Sequence, residues 1–135
     1  MKKKGLIVVS NYYENISDNL LECCLKTLRK NKLEADVKIV SGALEIPTLI
    51  CCNMKKKYKF FIALGCIIKG KTPHFDFIAS AITKSLLDLS IEYKVPVTNG
   101  IITSLTRIQA KERSSKNKNK GQEAANAAIS LLKHI

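Results

Sequence analysis

Three short strings carry residue types that can do chemistry together. The first is Gly70-Lys71-Thr72-Pro73-His74. A turn entering a helix offers free backbone N–H groups and the positive end of the helix dipole, which with a lysine suit a phosphate or carboxylate. His74 stands within one helical turn of that anion position, with Asp76 two residues on. An imidazole there can exchange protons with a phosphorylated substrate near neutral pH, or be a helix-start histidine satisfied by a loop carbonyl. The second string is Ser41-Gly42-Ala43-Leu44-Glu45, whose Glu45 is either a charge favoured by the helix dipole or a ligand for hydroxyls. The third is Asn11-Tyr12-Tyr13, rings that stack on a planar ligand or roof a loop. Arg113, within a basic run, is by default a solvated charge.

Gly65 to Thr72 also matches the spacing G-x4-G-K-T of a nucleotide phosphate loop. Three features oppose that reading. Pro73 follows where an uninterrupted helix is wanted, Ile67 and Ile68 crowd the cradle, and no predicted strand ends in the aspartate that would hold magnesium.

The elements that must position these residues follow from hydrophobic periodicity. Gly5–Ser10, Ala35–Val40, Lys59–Gly65 and Val95–Ile102 read as strands. Between them lie helical patterns. Ser17 is a candidate cap for a helix striped by Leu21, Cys24, Leu25 and Leu28, and a second helix is expected from about Glu45 to Lys56. The third has the clearest start, with Thr72 as N-cap, Pro73 at the first helical position, and Phe75, Ile78, Ile82, Leu86 and Leu89 at helical spacing. Two more are expected, from about Ser104 to Arg113 and from about Gln122 to His134. Strands alternating with helices over short connections predict an α/β fold, a three-layer αβα sandwich with about four parallel strands and helices on both faces. Ligands of such sheets bind beyond the carboxyl ends of the strands, where all three strings and Asn99-Gly100 are expected to lie.

The chain has 135 residues, 23 Lys plus Arg against 11 Asp plus Glu, and a formal charge of +12. Its length suits one domain with a core that needs no disulfide. The five cysteines, Cys23, Cys24, Cys51, Cys52 and Cys66, are an odd count without C-x2-C spacing, so reduced, structural, buried thiols are expected rather than a metal site. The apolar run Phe60–Ile68 is about half of a membrane span, and Leu6–Val9 is too short for a signal-peptide core. A soluble, cytoplasmic protein is expected. The basic excess clumps at Lys2–Lys4, Lys55–Lys59 and Lys111–Lys120, the last with five basic residues and one acid. It is nearly all lysine and is not interleaved with aromatics, which favours a solvated surface over nucleic-acid binding.

Taken together the strings resemble the lumazine synthase family, over almost the whole chain from Gly5 to Leu132. The resemblance rests on VSGALEIP (Val40–Pro47), IALGCIIKGKTPHFDF (Ile62–Phe77), VPVTNGIIT (Val95–Thr103) and NKG (Asn119–Gly121). It implies a flavodoxin-like fold and a riboflavin-pathway reaction. In it, 5-amino-6-(D-ribitylamino)uracil condenses with 3,4-dihydroxy-2-butanone 4-phosphate to 6,7-dimethyl-8-ribityllumazine, losing phosphate and water, with no metal or organic cofactor.

Carried over by position, the resemblance makes His74 the proton-transfer residue and Lys71, Thr72 and Arg113 the phosphate site. Glu45 and Lys120 would hold ribityl hydroxyls, Ala43 and Ile68 would offer backbone groups to the pyrimidine, and Tyr12 would stack on it. Leu44, Cys66, Ile67 and Asn99 would complete the pocket. The family also implies a pentameric ring with sites between subunits, in some members built into larger shells; the short Lys2-Lys3-Lys4 start favours a free pentamer. Three positions depart from the family pattern. Asn11-Tyr12-Tyr13 replaces Arg-Phe-Asn, which loses an Asn contact to the pyrimidine, while Leu44 and Asn99 each stand for a Phe. A non-catalytic module binding a flavin or lumazine is the alternative reading, and a nucleic-acid-binding protein the third.

Overall fold

The computed structural model describes residues 3–55, 57–71 and 73–135. The expected N-cap Thr72 and the lysines Lys2 and Lys56 lie outside the described residues. Four strands, β1 (Lys4–Ser10), β2 (Glu34–Val40), β3 (Phe61–Ile68) and β4 (Val97–Ser104), form one parallel sheet in the order β2-β1-β3-β4. The helices are α1 (Glu14–Lys30), α2 (Ile46–Cys52), α3 (His74–Tyr93), α4 (Arg107–Arg113) and α5 (Lys120–Leu132), with one 3-10 turn at Ala43–Glu45.

Strand alternation sorts the core into two faces. Ile7, Val9, Ile62 and Leu64 point to one side, where Ile16, Leu20, Cys24 and Leu28 of α1 meet Ala124, Ala125 and Ala128 of α5. Leu6, Val8, Phe61 and Ala63 point to the other, against Ile46 and Ile50 of α2 and Ile82, Leu86 and Leu89 of α3. This is the three-layer sandwich the sequence predicts. The strand order also explains a pattern in the sequence: β1 and β3 are central and buried and β2, at one edge, is half-buried to exposed along its length, whereas β4, at the other edge, is mostly buried despite its mixed sequence.

Several boundaries differ from the sequence expectation. Helix α1 starts at Glu14, and Ser17 is buried inside it with its hydroxyl donating to the Ser10 carbonyl at the end of β1. Ser17 therefore ties a helix to a strand instead of capping. Pro73 precedes α3 in the N-cap place, one residue earlier than the expected first helical position. Strand β4 begins at Val97 because Val95 is held by Ser90, whose hydroxyl donates to the Val95 carbonyl at 2.7 Å, and Pro96 has no N–H for the ladder. Ser104 ends β4, and α4 begins after Thr106, whose side chain accepts from the Gln109 N–H at 3.2 Å. Helix α2 ends at Cys52, which leaves Cys51 and Cys52 exposed; the buried-thiol expectation holds for Cys24 and Cys66 only. No helix among the described residues is long and apolar enough to cross a membrane.

Candidate active site

The strand order reverses direction between β1 and β3, so the crevice for a ligand opens beyond their carboxyl ends. Gly65 is a residue of β3 itself, not of a loop, and a Cβ there would stand 2.4 Å from the Ser10 hydroxyl oxygen. The close approach of β1 to β3 requires glycine at this point. That disposes of the phosphate-loop spacing, since its first glycine is locked in the sheet.

Beyond β1, Tyr12 is 73% exposed and Tyr13 half-buried, the two rings edge to face at 5.0 Å and 76°. The 3-10 turn after β2 carries Ala43, half-buried, and Leu44 and Glu45, both exposed. The Ser41 hydroxyl donates to the Glu45 carboxylate at 3.2 Å, which holds that carboxylate over the turn. Strand β3 ends in Cys66, Ile67 and Ile68; burial pushes the Cys66 thiol up to about 11 against the opposing pull of Arg107. The Lys69 N–H then donates to the Ser104 carbonyl at 2.9 Å, so the β3 chain leaves the sheet still pinned to β4. Lys71 follows, exposed, and His74 opens the 20-residue α3 at the surface. Tyr12, Ala43, Leu44, Glu45, Cys66, Ile67, Ile68, Lys71 and His74 thus gather at one end of the sheet from three separate stretches of chain.

Three expected site residues lie elsewhere. Asn99 is the third residue of β4, level with Ala63, whereas the strand end is Ser104 level with Ile68. It stands five residues, roughly 16 Å, short of the carboxyl end, because β4 begins and ends two residues later than its apolar pattern suggests. Its side-chain oxygen accepts from the Ile101 N–H at 2.9 Å on the outer strand of the sheet. Arg113 ends α4 and Lys120 begins α5. The chain between them closes on itself through an antiparallel bridge, Ser114 to Asn119. Asn119 explains its place in the NKG string. Its amide donates to the Ser114 carbonyl at 2.9 Å and its oxygen caps α5 by accepting from the Gln122 N–H at 3.1 Å. A Cβ on Gly121 would sit 2.2 Å from the Leu20 carbonyl oxygen, so only glycine lets α5 seat on α1. The string is a device for setting Arg113 and Lys120 side by side. Both line a cavity of about 660 Å³ with Glu112, Lys118, Glu123 and Asn126, and with none of the strand-end residues.

Sequence reasoning missed Arg107. Its guanidinium carbon lies 5.4 Å from the centre of the Tyr13 ring, and its only sequence signal is its place just after a capping threonine.

A family model described as 6,7-dimethyl-8-ribityllumazine synthase matches residues 2–135. Among curated proteins, the 6,7-dimethyl-8-ribityllumazine synthase of Bartonella tribocorum is 40% identical over 98% of this chain and 91% of its own length. That of Nitrobacter hamburgensis is 39% identical over 96% of this chain and 84% of its own, and 6,7-dimethyl-8-ribityllumazine synthase 1 of Rhodopseudomonas palustris is 39% identical over 95% and 83%. With the parallel sheet, the strand-end cluster and the basic turn all in place, the chain belongs to the 6,7-dimethyl-8-ribityllumazine synthase family.

Proposed function

We propose that residues 1–135 act as a single catalytic domain that performs the reaction for which the family is named. The protein is a transferase of riboflavin biosynthesis. It condenses 5-amino-6-(D-ribitylamino)uracil with 3,4-dihydroxy-2-butanone 4-phosphate to 6,7-dimethyl-8-ribityllumazine, and phosphate and water leave. The observation that carries this reading is the convergence of Tyr12, Glu45, Ile68 and His74 beyond the carboxyl ends of β1, β2 and β3.

The reaction needs a flat ring held in place, a proton moved, and a dianion stabilised as it departs. Tyr12 stacks on the pyrimidine, while backbone groups of Ala43 and Ile68 meet its edge. Leu44, Cys66 and Ile67 line the pocket. Glu45 holds ribityl hydroxyls. His74, at the head of α3, transfers protons as the imine forms and as phosphate is eliminated. Lys71 receives the phosphate near the positive end of the α3 dipole, with Thr72 as its partner in the family pattern. An Arg113 fork binds a phosphate dianion in two places at once.

Arg113, Lys120 and Asn99 reach this pocket from a neighbouring subunit. The reading is supported by their separation from the strand ends within one chain and by the apolar surface that a partner would cover. Phe77 and Ile91 on α3 are 71% and 66% exposed, and Ile39 on the edge strand β2 is 62% exposed. A homopentamer, or a multiple of it, with sites between subunits accounts for both, and the protein works in the cytoplasm on small molecules, not on nucleic acid or membranes.

The test mixes purified protein with both substrates and follows the fluorescent lumazine, while light scattering reads the mass in solution. Acceleration well above the spontaneous rate is expected, lowered most by Arg113→Ala and measurably by His74→Ala. Mixing inactive Arg113→Ala chains with inactive His74→Ala chains should restore part of the activity, since mixed rings contain some intact shared sites. No restoration, with an active wild type, would mean each chain completes its own site.

A further inference from the structure

We propose that Tyr13 and Arg107 form a positioning clamp that holds the Tyr12 ring ready to stack on the substrate's flat heterocycle. This inference rests on the reading of Tyr12 as the stacking residue. Tyr12 is nearly unsupported by the core, and an exposed tyrosine free to change rotamer loses entropy on every binding event. Its neighbour supplies the missing support. The Tyr13 ring meets Tyr12 edge on at 5.0 Å and 76°, within the favoured aromatic geometry, and packs against the buried cluster that contains Val9, Ile16 and Cys66.

Tyr13 is held in turn from the far end of the sequence. Arg107 places its guanidinium 5.4 Å from the ring centre, inside cation–π range. The Arg107 backbone is fixed, because it is the first residue of a helix pinned at its start. The Thr106 side chain accepts from the Gln109 N–H at 3.2 Å, and the Gln109 side chain accepts from the Leu105 N–H at 2.9 Å. Rigidity therefore passes from the sheet and α4 through Tyr13 to Tyr12. Tyr12, Tyr13 and Arg107 share a cavity of about 520 Å³ with Lys111, Ser114 and Ser115, so the clamp borders open space on its α1–α4 side. In this chain Tyr13 replaces a polar contact to the ring with an aromatic buttress behind it. Arg107 and Tyr13 are positioning residues: Tyr13 touches Tyr12, Arg107 touches Tyr13, and neither acts on the reacting atoms.

The test titrates the whole protein with 6,7-dimethyl-8-ribityllumazine, following ligand fluorescence, and measures KM for each substrate separately. Arg107→Ala and Tyr13→Leu are each expected to raise the lumazine Kd and the KM for the ribitylaminouracil about threefold, with kcat and the KM for the butanone phosphate within twofold of wild type. Arg107→Lys should restore part of the affinity and Tyr13→Phe most of it, while circular dichroism and Tm stay near wild type for all four. A Tyr12→Leu control separates the two layers of the argument. If Tyr12→Leu weakens lumazine binding and Arg107→Ala does not, the clamp is wrong and the stacking reading stands. If Tyr12→Leu also leaves binding unchanged, both are wrong.

Discussion

The strand-end cluster and the α4–α5 turn are built in opposite ways. At the strand ends, Tyr12 and Ile68 follow or end β1 and β3, which are buried along nearly their whole length, and His74 heads α3, whose Ile82, Leu86 and Leu89 are sunk in the core, while Glu45 sits on the turn after the edge strand β2. The turn that presents Arg113 and Lys120 has little core of its own. It is held by single polar contacts, the Asn119 amide to the Ser114 carbonyl and to the Asn19 carbonyl of α1, and by the glycine contact of Gly121 with Leu20. A hydrophobic scaffold spreads its stabilisation over many side chains, whereas a polar latch concentrates it in one or two. The first should tolerate change at any exposed site residue, and the second should fail when one atom is removed.

Four experiments sharpen or break that contrast, taken from the largest effect to the smallest. Arg113→Ala should lower kcat/KM by about two orders of magnitude, the scale of losing one charge-stabilising group at a departing anion, with Tm unchanged because the side chain is exposed. Steady-state assays beside thermal melts check this. Gly121→Ala drives a Cβ against the Leu20 carbonyl oxygen and should cost about 2–3 kcal/mol of stability, read by urea denaturation. Equal stability would show that α5 can shift on α1 without loss. Asn119→Ala removes the α5 cap and the latch, and should cost about 1–2 kcal/mol; a KM for the butanone phosphate that rises with it would tie the latch to the phosphate site.

The smallest effect belongs to the opposite end of the sheet. Asp36 accepts from the Tyr58 hydroxyl at 2.7 Å and pairs with Lys4 at 2.9 Å, first the hydrogen bond and then the lysine holding its carboxyl below the usual range. A depressed carboxylate stabilises the fold fully above its unfolded pKa of about 3.9, and that contribution drains away as pH falls through the folded value. Asp36→Asn should therefore be slightly less stable than wild type at pH 7, with the gap closing below about pH 4. Melting curves across pH 3 to 7 decide it, and a gap that widens in acid would refute the assignment.

The comparison also separates what could be read in advance. Four strands, their parallel pairing and the two helix layers were legible because β1 and β3 are short continuous apolar runs and apolar residues repeat with helical period in α1 and α3. The strand ends fared less well. Nothing in the residues of β4 says that Ser90 will capture Val95, and so Asn99 was expected two residues nearer the strand end than it lies. Ser17 has the composition of a cap, yet a buried strand carbonyl outcompeted the helix end for its hydroxyl. Arg107 was invisible, since its partner is Tyr13, far away in the chain.

By itself the amino-acid sequence determined the fold class, the family and the chemical types at the site, because periodicity and motif spacing are local properties that survive without a third dimension. Strings such as IALGCIIKGKTPHFDF are recognisable for that reason. The tertiary structure alone decided which strands are edges, that Ser10 packs so close to Gly65 that no side chain fits there, and that Arg113 and Lys120 share one cavity while Tyr12 lines another. These are contacts between residues distant in sequence, settled by how the two core faces pack and by which backbone groups are left needing a partner.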